Sequence, residues 1–242
     1  MRATRDGDRF HYTWGAARLL HLLNPASNLQ QVFVEGAGST SLGEEPDGSE
    51  VIDLTEFYGP AEDKITSLEV RQFKYSTLRS DENFTLGNTV EVLKKFAQID
   101  GALHEQYPNS DVQFSIVTNK PIAAEARTAV RELAAGRLPE EGSPAARLKA
   151  GVGIATEVAE FLCSRLDLRG NEPGITALRR GLDREVDGLT ADADLRVAAS
   201  LVDLVASRAS TESDGPILRA DVLTAFGCRE DELSPAPCLL DD

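Results

Sequence analysis

The first 120 residues alternate between two apolar periods. Phe10, Trp14, Ala17 and Leu20 recur at helical spacing behind Asp8, a residue suited to an N-cap, and Asn24-Pro25 ends the run. This predicts a helix over 8–23. Short runs enriched in β-branched and aromatic residues then predict strands at 31–35, 50–58 and 67–75, with Gly59-Pro60 breaking the second. Between the first two lie the glycine-rich 36–41 and a polar connection over 42–49. Leu86, Val90, Leu93 and Ala97 place one apolar stripe on a helix over 85–98, and 112–118 reads as a fourth strand closed by Asn119-Lys120-Pro121.

Beyond residue 122 the strand period disappears. Helices are predicted over 122–135, 144–166, 174–189, 191–207 and 217–226, the last ending at Gly227, with a Pro/Gly-bearing break at 137–143. In the 144–166 helix, Leu148, Val152, Ala155, Ala159, Leu162 and Leu166 form one stripe. Ser234-Pro235-Ala236-Pro237 reads as linker. The expected architecture is α/β over 1–122, with a central sheet flanked by helices, followed by an all-α region over 123–242 that serves as a helical adapter.

Charge narrows the partners. The chain carries 40 acidic against 25 basic residues, a net charge of −15. Such a field repels nucleic acid at long range, so any phosphate backbone must be held by a divalent metal, a local basic patch or a partner subunit. Lys64, Arg71, Arg79, Lys94, Lys95 and Lys120 are the candidates for such a patch. No run approaches the length of about 20 apolar residues a membrane helix needs, and no signal core follows the N-terminus. Cys163, Cys228 and Cys238 lack zinc-ligand or CxxC spacing and read as reduced thiols of a cytoplasmic protein.

The sharpest chemical signal is Asp53 on one predicted strand and Gln72-Phe73-Lys74 on the next. Residues two apart in a strand share a face, so Gln72 and Lys74 project together. Asp53 and the Gln72 side-chain oxygen suit a Mg²⁺ ion, with Lys74 orienting a water or meeting developing charge on a phosphate. On spacing alone, the same residues read more readily as a solvated lysine at a strand edge and an aspartate closing a turn, since an Asp followed by QxK is common by accident. Residues 36–41 lack the lysine of a phosphate-binding loop, and no HExxH, GxSxG or Cys/His pairing is present.

At these residues the chain resembles the PD-(D/E)xK, or restriction-endonuclease-like, family. Gly7-Asp8-Arg9-Phe10-His11-Tyr12-Thr13-Trp14, Val34-Glu35-Gly36, Val51-Ile52-Asp53-Leu54-Thr55-Glu56-Phe57-Tyr58, Arg71-Gln72-Phe73-Lys74-Tyr75-Ser76 and Val117-Thr118-Asn119-Lys120-Pro121-Ile122 look like successive blocks of the double-stranded DNA nuclease domain of bacterial antiphage effectors. That family includes endonucleases associated with CD-NTases and the N-terminal nuclease of Avs-type STAND NTPases. The resemblance implies a nuclease core over 1–122 with Asp53, Gln72 and Lys74 as the catalytic trio. Glu35 is implied as a further acidic ligand, and Mg²⁺, with Mn²⁺ as a substitute, as cofactor. Lys94, Lys95, Arg79 and His11 are the expected DNA contacts. The expected partners are double-stranded DNA and either further copies of the chain or a sensor NTPase, with oligomerisation as the activating step. Gln72 stands where many relatives carry Glu, which weakens metal binding and leaves open a nuclease fold kept for binding or assembly. Glu69 cannot easily replace it, because it faces the other side of a regular strand, and only a bulge would bring it round.

Overall fold

The computed structural model describes residues 2–24, 26–35, 52–189, 196–209, 215–229 and 233. The glycine-rich 36–41, the polar connection 42–49 and the tail motif 234–237 lie outside these residues, as does Cys238.

Helix α1 (Arg2–Leu19) runs into a single 3-10 turn at Leu20–Leu22. It begins before Asp8, so Asp8 sits within the helix on its exposed side instead of capping it. Strand β1 (Leu29–Val34) ends at Glu35, whose φ of 56° takes the chain out of the extended region. Next come β2 (Leu54–Tyr58) and β3 (Ser67–Lys74). The turn between them passes Gly59, where a Cβ would lie 2.1 Å from the Lys64 carbonyl oxygen, so only glycine fits. Helix α2 (Leu86–Gln106) opens with a reciprocal capping box between Thr85 and Asn88. It outruns the expected 85–98 because Ile99 and Leu103 carry the buried stripe two further turns. Strand β4 (Asp111–Thr118) and helix α3 (Ala124–Ala134) follow.

The region after residue 122 departs from the all-helical expectation. The 144–166 stripe divides into α4 (Pro144–Val152) and α5 (Thr156–Ser164), broken at Gly153, which takes a left-handed φ of 77° as a C-cap. Leu166 then opens a strand, β5 (Leu166–Arg169), where apolar and polar residues alternate. Helices α6 (Ile175–Leu189) and α7 (Arg196–Arg208) precede β6 (Ile217–Leu218) and α8 (Arg219–Phe226).

Among the described residues, six strands form one mixed sheet in the order β5-β4-β3-β2-β1-β6. Pairs β6/β1, β1/β2 and β2/β3 are antiparallel; β3/β4 and β4/β5 are parallel. The second half therefore supplies both edge strands, and the two halves share their cores. On one face Leu68, Val70, Phe114 and Ile116 pack under α2–α5. On the other, Val32, Leu54, Phe73 and Val117 pack under α1, α6, α7 and α8. No helix among the described residues is long and apolar enough to cross a membrane.

Candidate functional site

The register of β2 and β3 assembles the candidate site. Leu54 pairs with Arg71, and the Asp53 amide donates to the Arg71 carbonyl at 3.1 Å, which sets Asp53 beside Gln72. The Asp53 carboxylate continues the strand ladder: its Oδ2 accepts the Phe73 backbone N–H and the Gln72 Nε2 amide, each at 2.5 Å. From β1, the Glu35 amide donates to the Asp53 carbonyl at 3.0 Å, so the Glu35 backbone lies level with the site. Lys74 closes β3, its carbonyl accepting the Thr118 hydroxyl at 2.5 Å. Alternation puts Gln72 and Lys74 on the face of Leu68 and Val70 and Glu69 on the opposite one.

Gln72 is 3% exposed, and its Oε1 accepts no hydrogen bond. A buried acceptor left unmatched beside a carboxylate is costly unless a donor or a cation meets it. Asp53 also faces His11 of α1, whose Nδ1 lies 3.9 Å from Asp53 Oδ1 and whose ring lies 5.0 Å from that of Phe73. Burial holds the His11 imidazole below its ordinary value of 6.5, Lys74 adding to the effect while Asp53 and Asp8 oppose it. Among the described residues no group of three or more His, Cys, Asp or Glu is placed to hold a metal. An oxygen site here must therefore count the Gln72 amide.

The basic positions do not merge into one field. Lys94 lies 3.4 Å from Glu91 on the outer side of α2, and Arg79 and Lys120 each lie 3.9 Å from Glu82. Lys95 is half-buried and Lys64 exposed. Arg71, expected as a surface cation, is 1% exposed and belongs to a buried ion network. Tyr75 stacks on Phe10 at 4.5 Å, and the Ser76 backbone is held by Asn119 through bonds of 3.0 and 2.8 Å.

That network is what sequence reasoning missed. Glu56, fully buried, accepts from Arg71 Nε at 2.8 Å and Nη2 at 2.6 Å, and from Arg18 Nε of α1 at 2.6 Å. The Tyr58 hydroxyl donates to Glu56 at 3.2 Å, and Glu69 meets Arg71 Nη2 at 2.5 Å. The Arg71 guanidinium lies 4.8 Å from the Trp14 ring. Burial alone would raise the Glu56 carboxyl; Arg71 and Arg18 outweigh it and hold it down to about 2. Glu69 shares the same guanidinium less favourably, and burial, aided by Glu56, pushes it up against Arg71. The available signal was a pair of long charged residues, Glu56 and Arg71, inside otherwise apolar strands.

No protein-family model and no curated protein matches the chain. Among solved structures, the SAVED/CARF-domain containing receptor Cap4 of Acinetobacter baumannii superposes on 90% of the chain with a TM-score of 0.50 at 12% identity. The chain shares that α/β fold. Two structures of the receptor with the cyclic trinucleotides 2'3'3'-cAAA and 3'3'3'-cAAA give TM-scores of 0.49 at 13% and 12% identity. The chain spans less than half of the receptor's length, between 42% and 45% in the three comparisons.

Proposed function

We propose that the chain is a restriction-endonuclease-like domain that hydrolyses phosphodiester bonds of double-stranded DNA with a divalent metal, as the effector part of an antiphage protein activated by oligomerisation. The observation that carries this reading is the meeting of Asp53 with Gln72, whose buried Oε1 has no partner, one strand-repeat from Lys74. The donor set fits Mg²⁺ or Mn²⁺: a carboxylate and a neutral amide oxygen, both hard ligands. A bound ion would supply Lewis-acid polarisation of a phosphate and a nucleophile at neutral pH. Asp53 and Gln72 would hold it, with Glu35 approaching from the end of β1. Lys74 would meet the charge that develops on the phosphate oxygens. His11, kept neutral by burial, leaves the negative charge of Asp53 available to a cation. Lys94, Lys95 and Arg79 would contact the DNA backbone, Lys94 releasing Glu91 and Arg79 releasing Glu82 as they do so.

A second reading keeps the fold as a binding or assembly module without catalysis. Its support is the direct bond from Gln72 Nε2 to Asp53, which satisfies the carboxylate without metal, together with the net charge of −15. Plasmid cleavage separates the two. The wild type is expected to cut in Mg²⁺ or Mn²⁺ and to stop when the metal is chelated. Lys74→Ala should lower the rate by about 10²-fold or more. Absence of cutting at high protein concentration, even when a fused tag multimerises the chain, sinks the first reading and leaves the second.

A further inference from the structure

The two faces of the β2–β3 pair do different things. Gln72 and Lys74 belong to one face, the Glu56–Arg71–Glu69 network to the other, and Asp53 lies where β2 begins. We infer that Arg71, gripping Glu56 and Glu69, is a positioning residue that sets Asp53 against Gln72 and the Phe73 amide. This rests on the metal-site reading of Asp53 and Gln72 given above.

Strand register is chosen by side chains, because a slip by one residue exchanges the faces of the whole strand. Here Leu54 pairs with Arg71 and Glu56 with Glu69. Arg71 spans both rungs: its Nε and Nη2 hold Glu56 and its Nη2 also holds Glu69. A slipped pairing would carry Arg71, 1% exposed, away from the fully buried Glu56, leaving Glu56 with Arg18 as its one cation and Arg71 with Glu69 of its own strand as its one carboxylate. The residue that follows Arg71 is Gln72, and Asp53 lies three positions before Glu56. Once Arg71 is seated, the Asp53 carboxylate has one place to go, in the ladder against the Phe73 N–H.

The same network aligns α1. His11, Trp14 and Arg18 are spaced i, i+3 and i+7 and share one helix face. Arg18 binds Glu56 while His11 stands at Asp53. Seven helical residues rise about 10.5 Å and three strand residues about 10 Å, so helix and strand stay in step between the two contacts. Trp14 lies between them, with both guanidinium groups near its ring, Arg71 at 4.8 Å and Arg18 at 5.8 Å.

The test uses two readings on folded protein. One is the Phe73 amide proton resonance without metal, which donation to a carboxylate moves downfield. The other is the Mn²⁺ dissociation constant, read from the electron paramagnetic resonance signal of free Mn²⁺. Arg71→Met removes the charge; Arg71→Lys keeps it, discards the two-pronged fork, and serves where the methionine variant does not fold. In either variant, with far-UV circular dichroism and remote amide resonances native, the Phe73 downfield shift is expected to be lost. The Mn²⁺ dissociation constant is expected to rise about 10-fold, as for other groups that orient a ligand from behind. A merely destabilised protein would keep the Phe73 resonance in place. A folded variant with both readings at wild-type values overturns the proposal. If the wild type binds no Mn²⁺ yet the Phe73 resonance moves in the variant, the positioning role stands and the metal reading falls.

Discussion

Glu56 is the residue on which burial and charge are most finely opposed. Two guanidinium groups surround it, and its carboxyl falls from an ordinary 4.5 to about 2 in the folded chain. The folded state therefore binds fewer protons than the unfolded chain between these values. The stability this contributes is fully present above pH 4.5 and is lost as pH falls toward 2. A shift of this size corresponds to about 3 kcal/mol. Glu69, pushed up, works in the opposite sense: it takes up a proton more readily when folded, which relieves part of the strain on acidification. Urea midpoints between pH 6 and 2 should fall steeply for the wild type. In Glu56→Gln they should start lower, reflecting an unfolding free energy smaller by about 3–5 kcal/mol for a buried pair that loses one partner, and change less across that window. A variant whose acid slope matches that of the wild type would assign the loss to other carboxylates. Asp53, Gln72 and Lys74 were legible as candidates, though strand period shows only that Gln72 and Lys74 project together; singling out the three took the resemblance of the surrounding blocks. Glu56 and Arg71 were not. A charged residue in a strand reads equally as solvent-facing or paired, and only the register between β2 and β3 settles which.

The strands of the first half lie within four residues of where the apolar period put them, while α1 begins six residues earlier and α2 ends eight residues later than expected, shifts of boundary and not of element type. The errors lie where one period hides another. The apolar positions of 144–166 satisfy a helical stripe throughout, yet Gly153 ends α4 and Leu166 begins β5. An edge strand of four residues is too short to outvote a helical pattern running into it. Tertiary pairing with β4, where Phe114 meets Leu166 and Ile116 meets Leu168, decides the matter. Gly153 itself is testable. A Cβ there would meet nothing within 4 Å, so a substitution costs backbone conformation alone. Gly153→Ala should lower stability by about 1–2 kcal/mol, and Gly153→Asn by less, since asparagine visits the left-handed region more readily. Equal losses in thermal melts would show that the cost is not conformational.

For the molecule as a whole, the unsolved term is how so acidic a chain would hold DNA. Its surface cations are largely answered by neighbouring carboxylates, Lys94 by Glu91 and both Arg79 and Lys120 by Glu82. A single copy should therefore make few net phosphate contacts, and its DNA affinity should be weak and shallow in its dependence on salt. Linking copies turns later contacts into intramolecular ones, with a gain that can reach about 10²–10⁴ without any new contact. Cleavage by the proposed nuclease should then depend on assembly more than on concentration of the single chain. Fusing the chain to a coiled-coil trimer is expected to lower the concentration needed for plasmid cutting by at least about 10²-fold. It should also steepen the fall of binding with monovalent salt, since the linked contacts are lost together. The trimer carrying Lys74→Ala should bind as the trimer does and not cut, which separates avidity from chemistry. A monomer that cuts as efficiently as the trimer would locate the missing affinity in the site itself, and control by assembly would have no physical basis.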